Sequence, residues 1–452
     1  MIRRRRHVLP RERERGVTMI LVVLAMLSML GIVALAIDVI TLYSARSETQ
    51  RAADSAALVA AKMLVDAGVT GDPANAALQG VARTIASTAA TDVARQSVIA
   101  GRPIQAADVT VTFPNSGAPS FAINPQVSVT VQNANLPTFF SRIWSRAALT
   151  VRATATAEGF NPSNSSTIVG GGVGVPVIAR CVKPFIIPNC DPTHAGAGCG
   201  ATGATLFDPG TGAITNPGVA PGGIIGAGFD LISSCGGTAG LCTPGPPDAS
   251  PGPGGLTLRY YPASIPAATN SCPAACGAGT NFENDIACCN PTPISCGFTA
   301  TLPAVNQLPV DTTVNPEAGS IPAKSGVQCL IRQTPGNGQD NLISGPPLTY
   351  PLQIEVGGNH PLAGTVLSAN DLVTTSDSLV TVPVYDGAAT PGASVTIIGF
   401  LQVFIDRAFP GGGGPKAGEF HVTVVNVSGC GSSATGTAVA SSSAVPVRLI
   451  HQ

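Results

Sequence analysis

Charge is scarce in this chain of 452 residues. Asp, Glu, Lys and Arg together make up 11% of it, less than half the share usual in soluble domains. The 24 basic and 25 acidic residues nearly balance. Seven of the basic residues (Arg3, Arg4, Arg5, Arg6, Arg11, Arg13, Arg15) lie in the first fifteen positions, offset by Glu12 and Glu14. Setting that segment aside leaves 17 basic and 23 acidic residues, about −6. Such a remainder has no electrostatic footprint for nucleic acid, so no nucleic-acid partner is expected.

Catalytic signatures are missing as well. The five histidines, His7, His194, His360, His421 and His451, form no His-Glu-x-x-His or comparable metal pair. No Gly-x-Ser-x-Gly elbow, Walker loop or dinucleotide fingerprint stands up. The glycine-rich Gly170–Gly174 lacks the lysine that would meet phosphate. Gln339-Asp340-Asn341 and Asp371 have no calcium ligand ladder around them. The expectation is a protein that is not an enzyme and holds no cofactor or metal. No period of 20–50 residues recurs, which excludes a solenoid.

One long uncharged apolar run is present. Val17–Ile37 contains no charged residue. A helix of that length measures roughly 30 Å, enough to cross the hydrocarbon core of a bilayer. The arginines precede it, so its N-terminal flank is expected in the cytoplasm and the bulk of the chain outside. Ala34-Leu35-Ala36 fits a small-residue cleavage site. The run exceeds a usual signal core, however, and the helical pattern continues through the site, which favours a retained anchor. Asp38 ends the run as a polar residue at the membrane boundary, where water or a headgroup can reach it.

Beyond the run, Leu42, Ala45, Thr49, Ala52, Ala56, Val59, Ala60 and Met63 recur at helical steps. Glu48–Arg51 and Arg51–Asp54 are candidate i,i+3 pairs on the other face. The stripe is mostly alanine, with Ala53, Ala56, Ala57 and Ala60 as a thin edge suited to close helix approach. A solvated stalk of good helix propensity is the alternative.

Here the sequence resembles the N-terminal module of Tad/Flp pilus-assembly proteins of the TadE/TadG type. The matching residues are Arg15-Gly16, Ala36-Ile37-Asp38, Leu42-Tyr43, Glu48, Gln50 and the run Ala52–Ala61 (AADSAALVAA). The resemblance implies a single-pass inner-membrane protein of a pilus apparatus, a minor pilin-like or assembly factor. Its partners would be the lipid bilayer and other pilus-assembly membrane proteins. Two features depart from relatives of this layout. Type IV pilins carry a glutamate five residues past the cleavage glycine, where this chain has Leu21. Larger TadG-like proteins often add a domain with an Asp-x-Ser-x-Ser metal site, which neither Asp230-Leu-Ile-Ser-Ser nor Asp371-Leu-Val-Thr-Thr supplies. A membrane-anchored surface binding module or adhesin sharing only the anchor is the alternative function.

Ten of the twelve cysteines fall between Cys181 and Cys296: Cys181, Cys190, Cys199, Cys235, Cys242, Cys272, Cys276, Cys288, Cys289 and Cys296. Cys329 and Cys430 follow. In an exported chain these read as disulfides. Zinc is the rival: Cys272-x-x-x-Cys276 followed by Cys288-Cys289 and Cys296 could look like a ligand set, but its spacings match no zinc module and no histidine lies near it.

The expected fold is α+β. Residues 1–15 form a basic tail, 16–38 a transmembrane helix, and 39–160 a pilin-like helix with a small antiparallel sheet. Residues 161–307 make a Cys/Gly/Pro-rich region and 308–452 a β-rich domain. A second helix is expected over Ala74–Ile99, with Val81, Ile85, Ala89 and Val93 on one face. Period-two alternation marks strands at Asp108–Phe113, Gln126–Gln132 and Ala148–Ala157. Pro137–Arg146 is a short aromatic interruption, Asn161–Ile168 a linker, and residues 243–255 are too rich in Pro and Gly for regular structure. Later strands are expected at Val327–Arg332, Leu352–Val356, Leu379–Tyr385, Ser394–Ile405, Glu419–Val427 and Val445–Ile450. Ser394–Ile405 should be central, and Pro383 should place its strand at an edge or bulge. Gly411–Gly414 reads as a hairpin loop.

Overall fold

The computed structural model describes residues 14–72, 74–118, 120–136, 149–164, 175–194, 204–236, 241–244, 249–252, 255–266, 279–297, 306–317, 321–345, 349–373, 375–387, 392–409, 419–431, 438–441 and 443–450. The expected aromatic segment 137–146, Gly411–Gly414, Cys199, Cys272 and Cys276 lie outside the described residues. The architecture is α+β, with helices concentrated at the N-terminus and strands beyond. Two compact units divide the chain. One comprises residues 1–57, 90–111 and 128–155, the other 58–89, 112–127 and 156–452.

Helix α1 runs unbroken over Glu14–Asp66 and α2 over Ala76–Arg95. Strands β1 (Val109–Thr112), β2 (Gln126–Leu136) and β3 (Leu149–Gly159) follow. Their alternation is physical: Val127, Val129 and Val131 are buried, as are Val151, Ala153, Ala155 and Ala157. The buried face of α2 is its alanine face. Ala82, Ala86, Ala90 and Ala94 are fully buried, while Val81 is exposed. Alanines four apart present the flattest ridge, so the larger aliphatic side chains are displaced to its flanks.

In the first unit, β1, β2 and β3 lie in the order β3-β2-β1. A tight hairpin pairs Val98–Ile99 with Arg102–Pro103. Its two turn residues, Ala100 and Gly101, both have positive φ, the requirement of a type I′ turn.

The second unit is organised by β4 (Phe185–Pro188), β5 (Gly228–Ser233), β6 (Ala249–Gly252), β7 (Gly255–Pro262), β8 (Gln307–Pro309), β9 (Leu379–Tyr385), β10 (Ser394–Ala408) and β11 (Phe420–Gly429). A final strand, β12 (Val447–Ile450), pairs antiparallel with Thr156–Gly159 of β3. β6 to β11 join β4 and β5 in one eight-stranded sheet, ordered β6-β7-β4-β9-β10-β11-β5, with β8 on β10. β5 also pairs with β7, in parallel. The ladder β7-β4-β9-β10-β11-β5 therefore closes on itself. Closure leaves those six strands without a free edge.

The ring is filled by side chains. Ile187, Phe229, Leu231, Leu258, Val382, Leu401, Val403 and Val422 belong to one buried cluster. Phe185 anchors it, with ring centroids 4.9 Å from Tyr260, 4.7 Å from Phe420 and 6.1 Å from Phe282. Residues of alternate parity, Ile186, Tyr261, Tyr385, Ile397 and Phe400, face a second cluster with Val177, Ile294 and Leu308. Strands from both sides of residue 307 share this sheet, so the change at 307 is one of composition.

Helices α3 (Asn281–Ala287) and α4 (Pro322–Leu330) pack together on the main cluster through Phe282, Ile286, Ala323 and Val327. A Cβ at Gly326 would meet the Ile286 Cβ at 2.9 Å, so glycine permits the crossing. α4 corrects the expected strand at Val327–Arg332. A six-residue segment of mixed polarity (VQCLIR) is too short for its period to separate helix from strand, and Pro322 at the first helical turn settles it.

Two further corrections have physical causes. Residues 249–252 do form a strand, β6, despite Pro251; β6 is the terminal strand, where a missing N–H leaves no ladder bond unmade. The expectation for Pro383 is met by a bulge: β9 is interior, and its ladder is irregular at Val384/Tyr385, next to Pro383. Asn161–Asn164 is docked rather than a linker. Asn161 Nδ2 donates to the Val427 carbonyl at 2.9 Å, and Gly429 N–H donates to Ser163 Oγ at 2.6 Å.

Candidate functional site

The apolar part of α1 stands apart from the rest of the chain. Every Val, Leu, Ile and Met from Val17 to Ile40 is between 39% and 74% exposed. A helix in water would not present apolar side chains around its whole circumference. Among the described residues this is the one helix long and apolar enough to cross a membrane. Asp38, at the outer end of that run, is 4% exposed.

Past Asp38 the pattern changes. Ala45, Thr49, Ala52, Ala53, Ala56, Ala57, Ala60 and Ala61 are all buried, and Ala53, Ala56, Ala57 and Ala60 have no exposed surface at all. The stripe is covered by this chain itself. Thr49 is accommodated on it by donating its hydroxyl to the Ala45 carbonyl at 2.6 Å. The end of the helix shows the value of small contacts: a Cβ at Gly159 of β3 would collide with Val65.

The polar residues of the helix have specific partners. Ala100 N–H, in the hairpin turn, donates to Glu48 Oε2 at 2.8 Å. Ser44 Oγ donates to the other Glu48 oxygen at 3.4 Å. Gln50 Nε2 donates to Asp54 Oδ1 at 2.7 Å. The expected Glu48–Arg51 and Arg51–Asp54 pairs do not form; Glu48 and Asp54 meet Ala100, Ser44 and Gln50 instead. Sequence reasoning missed the role of Glu48, since its partner lies 52 residues away.

The cysteines form cross-links in the second unit. Cys181 pairs with Cys289, Cys235 with Cys242, and Cys296 with Cys430. Cys190, Cys288 and Cys329 are also disulfide-bonded, and no described cysteine is free. Among the described residues, no three His, Cys, Asp or Glu side chains are grouped to hold a metal ion. His421 Nδ1 is 2.8 Å from Asp230 Oδ1 and its Nε2 is 3.8 Å from Asp406 Oδ2, a structural bridge between β5, β10 and β11.

Residues 16–63 match the family model described as "Putative Flp pilus-assembly TadE/G-like". The matched segment spans the exposed apolar run and the buried alanine stripe. The match associates the chain with pilus assembly. No curated protein and no solved structure matches the chain.

Proposed function

We propose that this chain is a structural, single-pass component of Tad/Flp-type pilus assembly, anchored in the bacterial inner membrane by α1. Residues 1–15 are cytoplasmic and everything from Tyr43 onward is extracytoplasmic. The protein is not an enzyme; it acts by position, as a minor pilin-like or assembly factor with pilus-assembly membrane proteins as partners. The observation that carries the reading is the change along one unbroken helix within the matched segment, from exposed large apolar side chains to a buried alanine stripe. The exposed run fits lipid, and the arginines of residues 1–15 fit the cytoplasmic side. Disulfides suit an oxidising compartment. Because the stripe is covered by the chain's own residues, contact with partners falls to other surfaces of the exported part.

The test is a topology and recovery experiment in cells. Reporter fusions after Gly68 and after Gln452 should be active only as exported reporters, and carbonate-washed membranes should retain a chain that still contains Thr18–Ala36. Pull-down of the detergent-solubilised protein should recover pilus-assembly membrane proteins. Cytoplasmic reporter activity at either point would defeat the topology. Recovery of host-surface or matrix ligands with no pilus component would favour an anchored adhesin instead.

A further inference from the structure

Lys183 is an anomaly in so weakly charged a protein. Its side chain is 5% exposed, yet its ammonium makes a single hydrogen bond, from Nζ to the Cys288 carbonyl oxygen at 2.7 Å. It forms no ion pair among the described residues. An ammonium has three donors, and a buried cation without an anion is costly. Burial accordingly lowers its pKa to about 8, against the longer-range pull of Asp377 and Asp285. Asp377 is itself committed to Arg332, 2.5 Å away.

Lys183 lines a cleft of about 890 Å³ between the end of α3, α4 and the start of β9. That volume lies in the range of small-ligand sites. Gln402 of β10 lines the same cleft. It is 4% exposed, and its Oε1 has no hydrogen-bond partner. The cleft thus offers a buried cation and a buried acceptor, both unfilled by the described residues. Its walls are fixed. Cys181, Cys288, Cys289 and Cys329 all line it and all are disulfide-bonded. The backbone N–H of Lys183 donates to the Thr381 carbonyl at 2.9 Å. Rigid walls lower the ordering cost of binding.

We propose that this cleft binds a small organic carboxylate bearing an N–H or O–H donor beside the carboxylate, with Lys183 taking the charge and Gln402 Oε1 accepting the donor. A monoanion is favoured over a phosphate because the second cation, Arg332, is already paired. An acylated amino acid and the carboxy terminus of a polypeptide share this chemistry. The site does not depend on the pilus reading.

Lys183 reports on its own occupancy. The full-length chain, in detergent with disulfides intact, is reductively methylated near pH 8, and each lysine is quantified by peptide mass spectrometry with Lys324 as the reference. N-acetylglycine at about 20 mM should slow Lys183 methylation by about threefold or more through mass action. N-acetylglycinamide should give no protection, and acetate less than N-acetylglycine. Gln402→Leu should reduce N-acetylglycine protection, taken as the ratio of Lys183 rates without and with ligand in the variant itself, to the acetate level. Protection by N-acetyltetraglycine equal to or better than N-acetylglycine identifies a chain terminus; protection by N-acetylglycine alone identifies a free acid. An unchanged Lys183 rate with both carboxylates, or equal protection by the amide, overturns the site. Equal protection by acetate overturns the assignment to Gln402.

Discussion

Asn426 Nδ2 donates to the carbonyl of Val65 at 3.1 Å, across 361 residues of chain. Val65 sits in the last turn of α1, where carbonyls lack partners within the helix. Its oxygen also accepts the Gly68 N–H at 2.9 Å, and Asn426 fills the second lone pair. Asn426 is fully buried, and its Oδ1 accepts the Val427 N–H at 3.0 Å. One amide therefore fastens the end of the N-terminal helix to β11.

Asn426→Ala should lower the stability of the second unit by about 1–3 kcal/mol, the cost of buried hydrogen bonds left unmade. Denaturant unfolding of the detergent-solubilised protein measures it. A change below about 0.5 kcal/mol would mean that the amide contributes nothing to the docking of the helix end.

Glu48 performs the corresponding task in the first unit. Ala100 holds a positive φ that favours glycine or asparagine, and Glu48 receives its N–H. Glu48→Ala should loosen the hairpin, seen as faster proteolysis within residues 96–104. Ala100→Gly should tighten it by up to about 1 kcal/mol. Equal proteolysis rates for wild type and Glu48→Ala would refute this coupling.

The alanine stripe has no spare room. Ala56→Leu and Ala60→Leu each add bulk to a fully buried position and should cost about 1–3 kcal/mol. Arg46→Ala, on an exposed position, should do little. Membrane retention should survive in all three variants. Near-neutral effects of both leucine substitutions in thermal unfolding would show that the stripe yields readily.

The Cys296–Cys430 bond closes a loop of sequence separation 134 and joins β11 to the outer cluster. A loop of that size restricts the unfolded chain by about 4–5 kcal/mol in the entropy model. The Cys296→Ala/Cys430→Ala double variant should therefore lose more stability than Cys235→Ala/Cys242→Ala, whose loop has a separation of 7. Side-by-side thermal melts decide it; the reverse ranking would contradict the argument.

Glu317 gives the second unit a pH signature. Burial, reinforced by Glu419, pushes its carboxyl to about 7 from the ordinary 4.5, against the Ser233 N–H and Arg259. Between these values the folded state keeps a proton that the unfolded state has released. Its contribution to stability is full below about pH 4.5 and is lost as pH rises towards 7, at up to about 1.4 kcal/mol per pH unit. Glu317→Gln should flatten that part of the stability–pH curve. An identical slope in the variant would exclude Glu317 as the source.

The N-terminal module was legible because its information is local. Charge placement, an uncharged run and a helical alanine period are properties of neighbouring residues, and they set α1 without reference to the rest of the chain. β1, β2, β3, β9, β10 and β11 were readable from alternation or apolar runs for the same reason. Val327–Arg332 was not, because six residues are too few to fix a period and its structure follows from Pro322 and from packing on α3.

What the sequence by itself determined, then, was one helix that can enter a membrane, a TadE/G-like segment at its start, and a cysteine-rich chain built for cross-links. Tertiary structure decided the rest. The closure of β7-β4-β9-β10-β11-β5, the covering of the alanine stripe, the fastening of Val65 by Asn426 and the placing of buried Lys183 and Gln402 on one cleft all join residues far apart in sequence. Such pairings are selected by the packing of a whole core, and no window of neighbouring residues encodes them.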